Sequence, residues 1–130
     1  MLSKESLIRN LGLEFLEKRF VDREGWSQTD AEETVRRYKN FLILLYKYPD
    51  HLVAPAPDID EAWHNHILFT QEYTRDCHAI FGGYLHHTPS QNLGAEEKRV
   101  MEEAQLHAAD LYMEEFHEPY FLEMDISTFW

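Results

Sequence analysis

The chain has a single cysteine among its 130 residues, so it cannot form an intramolecular disulfide bond. Such a protein gains no stability from an oxidising compartment. Long hydrophobic runs are also missing, because the longest, residues 41–46, is far shorter than a membrane-spanning helix. The first residues do not resemble a secretory signal, which needs a charged segment followed by an apolar one. We therefore expect a cytoplasmic protein that does not insert into membranes.

Basic residues are scarce: 12 lysines and arginines stand against 24 aspartates and glutamates, for a net charge of −12. This balance disfavours binding to nucleic-acid phosphates and to anionic membranes, so we expect no nucleic-acid or membrane partner. A protein partner or a homo-oligomer remains open. The sequence also has no glycine-rich phosphate loop, no Gly-x-Ser-x-Gly elbow and no His-Glu-x-x-His zinc motif. It therefore falls into none of these common enzyme classes.

Glycine and proline, five of each, divide the chain into four segments with helical spacing of apolar residues. The predicted helices cover residues 3–22, 29–48, 58–81 and 95–118. An apolar, aromatic stretch follows at residues 120–130. The sequence therefore predicts an all-α fold, a small helical bundle of about four helices with an irregular aromatic C-terminal tail, in a single domain spanning residues 1–130.

The ends of these helices carry local signals. Residues 29–32 (Thr-Asp-Ala-Glu) and 58–61 (Asp-Ile-Asp-Glu) both have the form of a capping box and predict the starts of the second and third helices. Gly82-Gly83 predicts the end of the third helix. Pro49 and Pro119 should stop the second and fourth helices.

Five of the eight histidines lie in one short segment, which also holds the only cysteine, Cys77. They are His64, His66, His78, His86 and His87. Imidazole, thiolate and carboxylate are the side chains that bind transition metals, and imidazole titrates near neutral pH. Any chemistry of this protein is therefore expected here.

Helix geometry decides which of these groups can share an ion. Successive residues turn by about 100°, so Asp60 and His64 lie one turn apart and can clamp one metal. His64 and His66 point roughly 160° apart and cannot both bind it while the helix is regular. His66 would become a ligand only if the third helix began later than predicted.

Further ligands would have to come from other segments. His86 or His87 can fold back from the loop after the third helix, and His107 or His117 on the fourth helix are additional candidates. The predicted metal-ligand set is Asp60, His64, His66 and His87, holding a zinc or iron ion.

Structural roles compete with these assignments. His66 lies on the same apolar stripe as Trp63 and Cys77, where a histidine is more often a hydrogen-bonded core residue than a ligand. Cys77 is expected to be a buried, unreactive small hydrophobe. Asp60 can equally act as a helix cap, and Trp63 as a core anchor.

The segment from Ala56 to Leu68, with the residues that follow it, resembles the glycine-rich domain-containing protein-like family. Members of that family carry a Pro-x-x-Asp-x-x-Trp-His-x-His-x-Leu signature and then a Tyr-x-x-Asp-Cys step. The resemblance covers residues 35–90, is closest to short bacterial stand-alone members, and implies little about activity. The positions that match the motif are Asp60, Trp63, His64, His66, Tyr73, Cys77 and His87.

The sequence leaves three functional hypotheses. The first is a metal-binding protein with a mononuclear His/Asp site at the start of the third helix, either structural or a small metalloenzyme. The second is a non-enzymatic protein-interaction module whose histidines are structural. The third is metal-free acid–base catalysis by His64, oriented by Asp60.

Overall fold

The computed structural model describes residues 3–87 and 94–122, and every regular element within them is an α-helix. The helices are α1 (Lys4–Arg9), α2 (Glu14–Glu24), α3 (Gln28–Lys47), α4 (Pro57–Leu68), α5 (Thr70–Phe81) and α6 (Ala95–Phe116). The all-α prediction is confirmed. The predicted number of helices was too small, because two of the four predicted helices are each divided. None of the helices in these residues is both long and apolar enough to cross a bilayer.

The first predicted helix is divided after α1. Asn10 ends α1, where its side-chain Nδ2 donates a hydrogen bond to the Ser6 carbonyl at 2.8 Å. Such local side-chain bonds compete with helix continuation. Ile8 and Leu13 on either side of the break are both fully buried, so the interruption lets two short helices each place apolar residues in the core. Helical spacing alone does not reveal this break.

The third predicted helix is divided at Phe69, which has φ −88° and ψ 74° and separates α4 from α5. The Phe69 ring packs against Phe15 of α2, with centroids 4.6 Å apart. Apolar residues continue on both sides of the break, so periodicity predicted one helix. One helical phase therefore does not run through residues 58–81, although Cys77, predicted to lie on the buried stripe, is buried.

Neither predicted capping box caps its helix. α3 begins at Gln28, and its cap is Ser27, two residues before the predicted cap Thr29; the Ser27 hydroxyl accepts a hydrogen bond from the Asp30 backbone N–H at 3.1 Å. α4 begins with Pro57 at its first turn and has no side-chain cap. Asp58, the predicted cap, is instead buried and ion-paired with Arg37 of α3 at 2.9 Å.

The predicted helix ends agree more closely with the structure. α3 ends at Lys47, ahead of Pro49, and Gly82 closes α5 in the left-handed conformation with φ 77°. α6 ends at Phe116, slightly before the predicted residue 118. Of the predicted tail, Tyr120 is buried and Phe121 packs against the core, whereas residues 123–130 lie outside the described residues.

The core is built around α3, which lies against α1, α2, α4 and α6. Its buried face includes Tyr38 and Phe41, and the Phe41 ring meets Trp63 of α4 with centroids 5.4 Å apart. Burying each such aromatic side chain contributes on the order of 1.5–3 kcal/mol. This packing fixes α4, which carries the predicted site, on a rigid support.

Candidate functional site

His66 lies in the core, 1% exposed, and uses both ring nitrogens. Nδ1 lies 2.7 Å from the Tyr38 hydroxyl, and Nε2 lies 2.9 Å from a carboxylate oxygen of Asp76. The neutral tautomer with hydrogen on Nε2 satisfies both contacts, since Nδ1 then accepts from Tyr38. Burial raises the pKa of the Tyr38 hydroxyl well above its usual value, so Tyr38 stays a donor. Neither ring nitrogen of His66 is therefore free to bind a metal, which is the arrangement of a hydrogen-bonded core histidine.

Trp63 and Tyr73 tie α4, α5 and the following loop together. The Trp63 Nε1–H donates to the Tyr73 hydroxyl at 2.8 Å, and that hydroxyl donates to the Leu85 carbonyl at 2.6 Å. The break at Phe69 makes this arrangement possible, because α5 turns back beside α4. Cys77 lies next to these hydrogen bonds and is 2% exposed, which confirms the prediction that it is buried. Burial also raises the pKa of its thiol.

The Leu85 contact brings the next loop residues back over α4. His87, one of the two loop histidines predicted to fold back, lies against Asp60. Nε2 of His87 lies 2.8 Å from Oδ1 of Asp60. The imidazole stacks on the Trp63 indole, with centroids 4.0 Å apart and planes 17° apart. The His87 side chain is only 9% exposed, whereas that of Asp60 is 36% exposed. Asp60 therefore pairs with His87 rather than capping its helix.

This pair lies in a cleft of about 200 Å³ between the start of α4 and α6. The cleft is lined by Pro55, Pro57, Asp60, Glu61, His87, Met101 and Gln105. The Gln105 side chain holds one wall in place by donating to the Pro55 carbonyl at 3.1 Å. Burial, then the charges of Glu24 and Asp60, raise the pKa of Glu61, while His64 lowers it. The cleft therefore combines one imidazole with two carboxylates. The surroundings of Glu61 disfavour the negative charge of its carboxylate.

The other candidate histidines do not line the cleft. His64 is exposed on α4, one turn beyond Asp60, and His78 is exposed on α5. His86 packs on the Tyr84 ring with centroids 4.9 Å apart. His107 contacts His51 instead of the cleft, and His117 ends α6 in the left-handed conformation. Within residues 3–87 and 94–122, no three His, Cys, Asp or Glu side chains are grouped as a metal site.

Sequence reasoning missed three residues of the cleft and one buried ion pair. Glu61, Met101 and Gln105 were not among the predicted site residues, because the cleft depends on how α6 packs. The buried Arg37–Asp58 pair was also missed. A signal for it existed, since Arg37 occupies the same helical face as Phe41.

Most of the chain matches a known protein family. No curated protein and no solved structure matches the chain. The resemblance to the glycine-rich domain-containing protein-like family was wrong: a different and uncharacterised family matches, and over a longer stretch than residues 35–90. That match covers residues 4–108, from α1 through most of α6, and includes Asp60, Trp63 and His87. The chain belongs to the UCP032817-like family.

Proposed function

We propose that the protein binds a divalent transition-metal ion in the cleft between α4 and α6, with Asp60 and His87 as its protein ligands. The observation that carries this proposal is the 2.8 Å separation of the His87 Nε2 and Asp60 Oδ1 atoms on the cleft wall. Two ligands of a tetrahedral zinc ion, each about 2.0–2.2 Å from the metal, lie about 3.3 Å apart. A small widening of the pair would therefore admit an ion.

The surroundings of the pair support this proposal. The Trp63 indole holds the His87 ring in a fixed plane, so little side-chain freedom is lost on binding. Glu61 lines the same cleft and its pKa is raised, and a bound cation would favour its ionised form. A mixed set of imidazole and carboxylate suits zinc or iron, the metals expected from the sequence.

Two protein ligands leave coordination positions for water or a substrate. A metal with open positions acts as a Lewis acid or lowers the pKa of a bound water. The proposed role is thus a mononuclear metal site whose open positions face a small cleft. His66 is left out of the ligand set, because Tyr38 and Asp76 occupy its nitrogens.

Metal analysis of protein purified without a histidine tag, after growth with added zinc and iron, tests the proposal. Wild type should retain metal in the cleft, and His87→Ala and Asp60→Asn should each lose that metal and hold less in total than wild type. His78→Ala, in an exposed residue of α5, is the matched control and should retain metal. Wild-type protein without metal, or equal metal content in His87→Ala and His78→Ala, would overturn the proposal.

The same pair favours a second candidate function, acid–base catalysis without a metal. A carboxylate that accepts a hydrogen bond from one imidazole nitrogen orients the ring, so that the other nitrogen can act as a base. Here Asp60 would orient His87, not His64 as the sequence suggested. An activity found with a panel of small substrates should then survive chelation and be lost in His87→Ala.

A further inference from the structure

His51 and His107 form a second histidine pair, outside the cleft. Nδ1 of His51 lies 2.8 Å from Nε2 of His107, the ring centroids are 5.0 Å apart, and the ring planes differ by 3°. The centroid separation is close to the nitrogen separation plus the radii of two five-membered rings. The imidazoles therefore meet edge to edge through their nitrogens, not face to face. Both residues are exposed, so an ion from solvent can reach them.

The hydrogen bond already holds two imidazole nitrogens close together, as two ligands of one metal ion must be. One nitrogen must donate and the other accept, so the contact holds one proton between two imidazoles. If that proton moves to the other nitrogen of its own ring, both rings stay neutral and their two lone pairs face each other, and neutral imidazole is the commonest metal ligand. Two ligands of a tetrahedral zinc ion lie about 3.3 Å apart. The rings need only separate slightly and turn toward a common point.

The backbone holds the two histidines in place from separate elements. His51 follows α3 in a turn, where its backbone N–H donates to the Tyr48 carbonyl at 3.1 Å. Three residues later the Ala54 N–H donates to the Ala104 carbonyl of α6 at 3.3 Å, one helical turn before His107. The loop is thus already fixed on α6 beside the pair. An ion would add a link between elements that are correctly placed.

We propose that His51 and His107 bind one divalent transition-metal ion of the class that prefers imidazole, Zn²⁺ or Cu²⁺. The ion takes the place of the shared proton, which moves to the other nitrogen of its own ring, and water completes the coordination. Binding ties the loop between α3 and α4 to α6. This site shares no ligand with the Asp60–His87 cleft.

Copper electron paramagnetic resonance and zinc titration calorimetry on tag-free protein test this second site. Cu²⁺ bound to wild type should show hyperfine coupling to two imidazole nitrogens. His51→Ala and His107→Ala should each lose that signal and the corresponding zinc binding. Both residues are exposed, so circular dichroism should show an unchanged fold.

A variant of the cleft and its control separate this proposal from the proposed function. His87→Ala and His78→Ala should both keep the two-nitrogen copper signal. A wild-type protein without that signal, or one whose zinc binding is unchanged in His51→Ala and His107→Ala, would show that the pair is only a surface hydrogen bond. Loss of the signal in His87→Ala would equally overturn the assignment of His51 and His107 as the ligands.

Discussion

The Trp63 indole lies flat against the His87 imidazole, with ring centroids 4.0 Å apart and planes 17° apart. The same indole donates its N–H to Tyr73, which in turn holds the Leu85 carbonyl. Trp63 thus fixes both the ring of His87 and the loop that carries it. This makes Trp63 a positioning residue for the Asp60–His87 pair.

Trp63→Phe keeps an aromatic ring but removes the N–H and much of the stacking surface. We expect it to lower the free energy of unfolding by about 1–3 kcal/mol without metal, because a hydrogen bond and buried packing are lost. Zinc affinity should fall as well, since the His87 ring loses its support. Denaturant unfolding and calorimetry measure the two effects.

The matched control is Trp26→Phe. Trp26 also stacks on an aromatic ring, that of Phe20, with ring centroids 4.2 Å apart, and neither residue lines the cleft. It should destabilise the fold without changing zinc affinity at the cleft. Equal affinity in Trp63→Phe and wild type would show that Trp63 is only a core anchor.

Arg37 and Asp58 provide a second prediction, on stability. Arg37 is 2% exposed, forms a bidentate contact with Asp58, and also donates to the carbonyls of Pro119 and Tyr120. Removing one partner of a buried ion pair leaves the other charge uncompensated, so Arg37→Ala should cost about 3–5 kcal/mol.

The neighbouring residue on α3 supplies the control for this measurement. Arg36 pairs with Glu33 and Glu118 on the surface, and Arg36→Ala should cost roughly 1 kcal/mol or less. The double variant Arg37→Met/Asp58→Leu should recover much of the loss, because no unpaired charge remains. Similar losses in Arg37→Ala and Arg36→Ala would contradict the burial argument.

The fold class could be predicted from the sequence because proline stops, a glycine cap and helical periodicity agree along most of the chain. Helix breaks were missed where tertiary packing decides them. Phe69 leaves the helical conformation and packs on Phe15, and nothing in its immediate sequence marks it. The capping box at Asp58 was wrong because a buried arginine on another helix takes its carboxylate.

The site could be predicted only where local helix geometry determines it, and not where it depends on tertiary contacts. Local geometry correctly showed that His64 and His66 diverge on one helix, and His66 has its own core partners. The return of His87 to Asp60 was only one of several alternatives, because it depends on the loop contact between Tyr73 and Leu85. The contact between His51 and His107 involves residues 56 positions apart, which no helical phase relates.

Cys77 gives a prediction that needs no metal. It is 2% exposed and burial raises the pKa of its thiol, so the reactive thiolate is scarce in the folded protein. Native protein should therefore react far more slowly with a thiol reagent at neutral pH than protein unfolded in denaturant. Because Cys77 is the only cysteine, the reaction reports this residue alone. Equally rapid labelling of native and unfolded protein would contradict the prediction.

Glu61 should make stability depend on pH in the acid range. Burial and neighbouring acidic groups raise its pKa in the folded state, so the folded protein holds this proton more tightly than the unfolded chain does. The contribution of Glu61 to stability is therefore complete below its unfolded pKa. It is lost as pH rises through the raised folded value. Relative to wild type, Glu61→Gln should gain melting temperature as pH rises from acid to neutral in chelator.

Saturating zinc supplies the complementary measurement, because a cation in the cleft favours the ionised carboxylate. The advantage of Glu61→Gln at neutral pH should then shrink or reverse. A difference in melting temperature between the two proteins that is independent of pH would show that the surrounding acidic groups do not affect the ionisation of Glu61.

His66 gives the prediction that separates the core from the metal site. His66→Ala should lower the free energy of unfolding by about 2–4 kcal/mol, because it opens a cavity and leaves Tyr38 and Asp76 without their partner. The loss should be the same with and without chelator, since both nitrogens are occupied within the core. His87→Ala should behave differently, losing mainly the stability that bound metal confers. Thermal melting of both variants under the two conditions measures this, and a His66→Ala deficit that disappears in chelator would mean that His66 itself binds the ion.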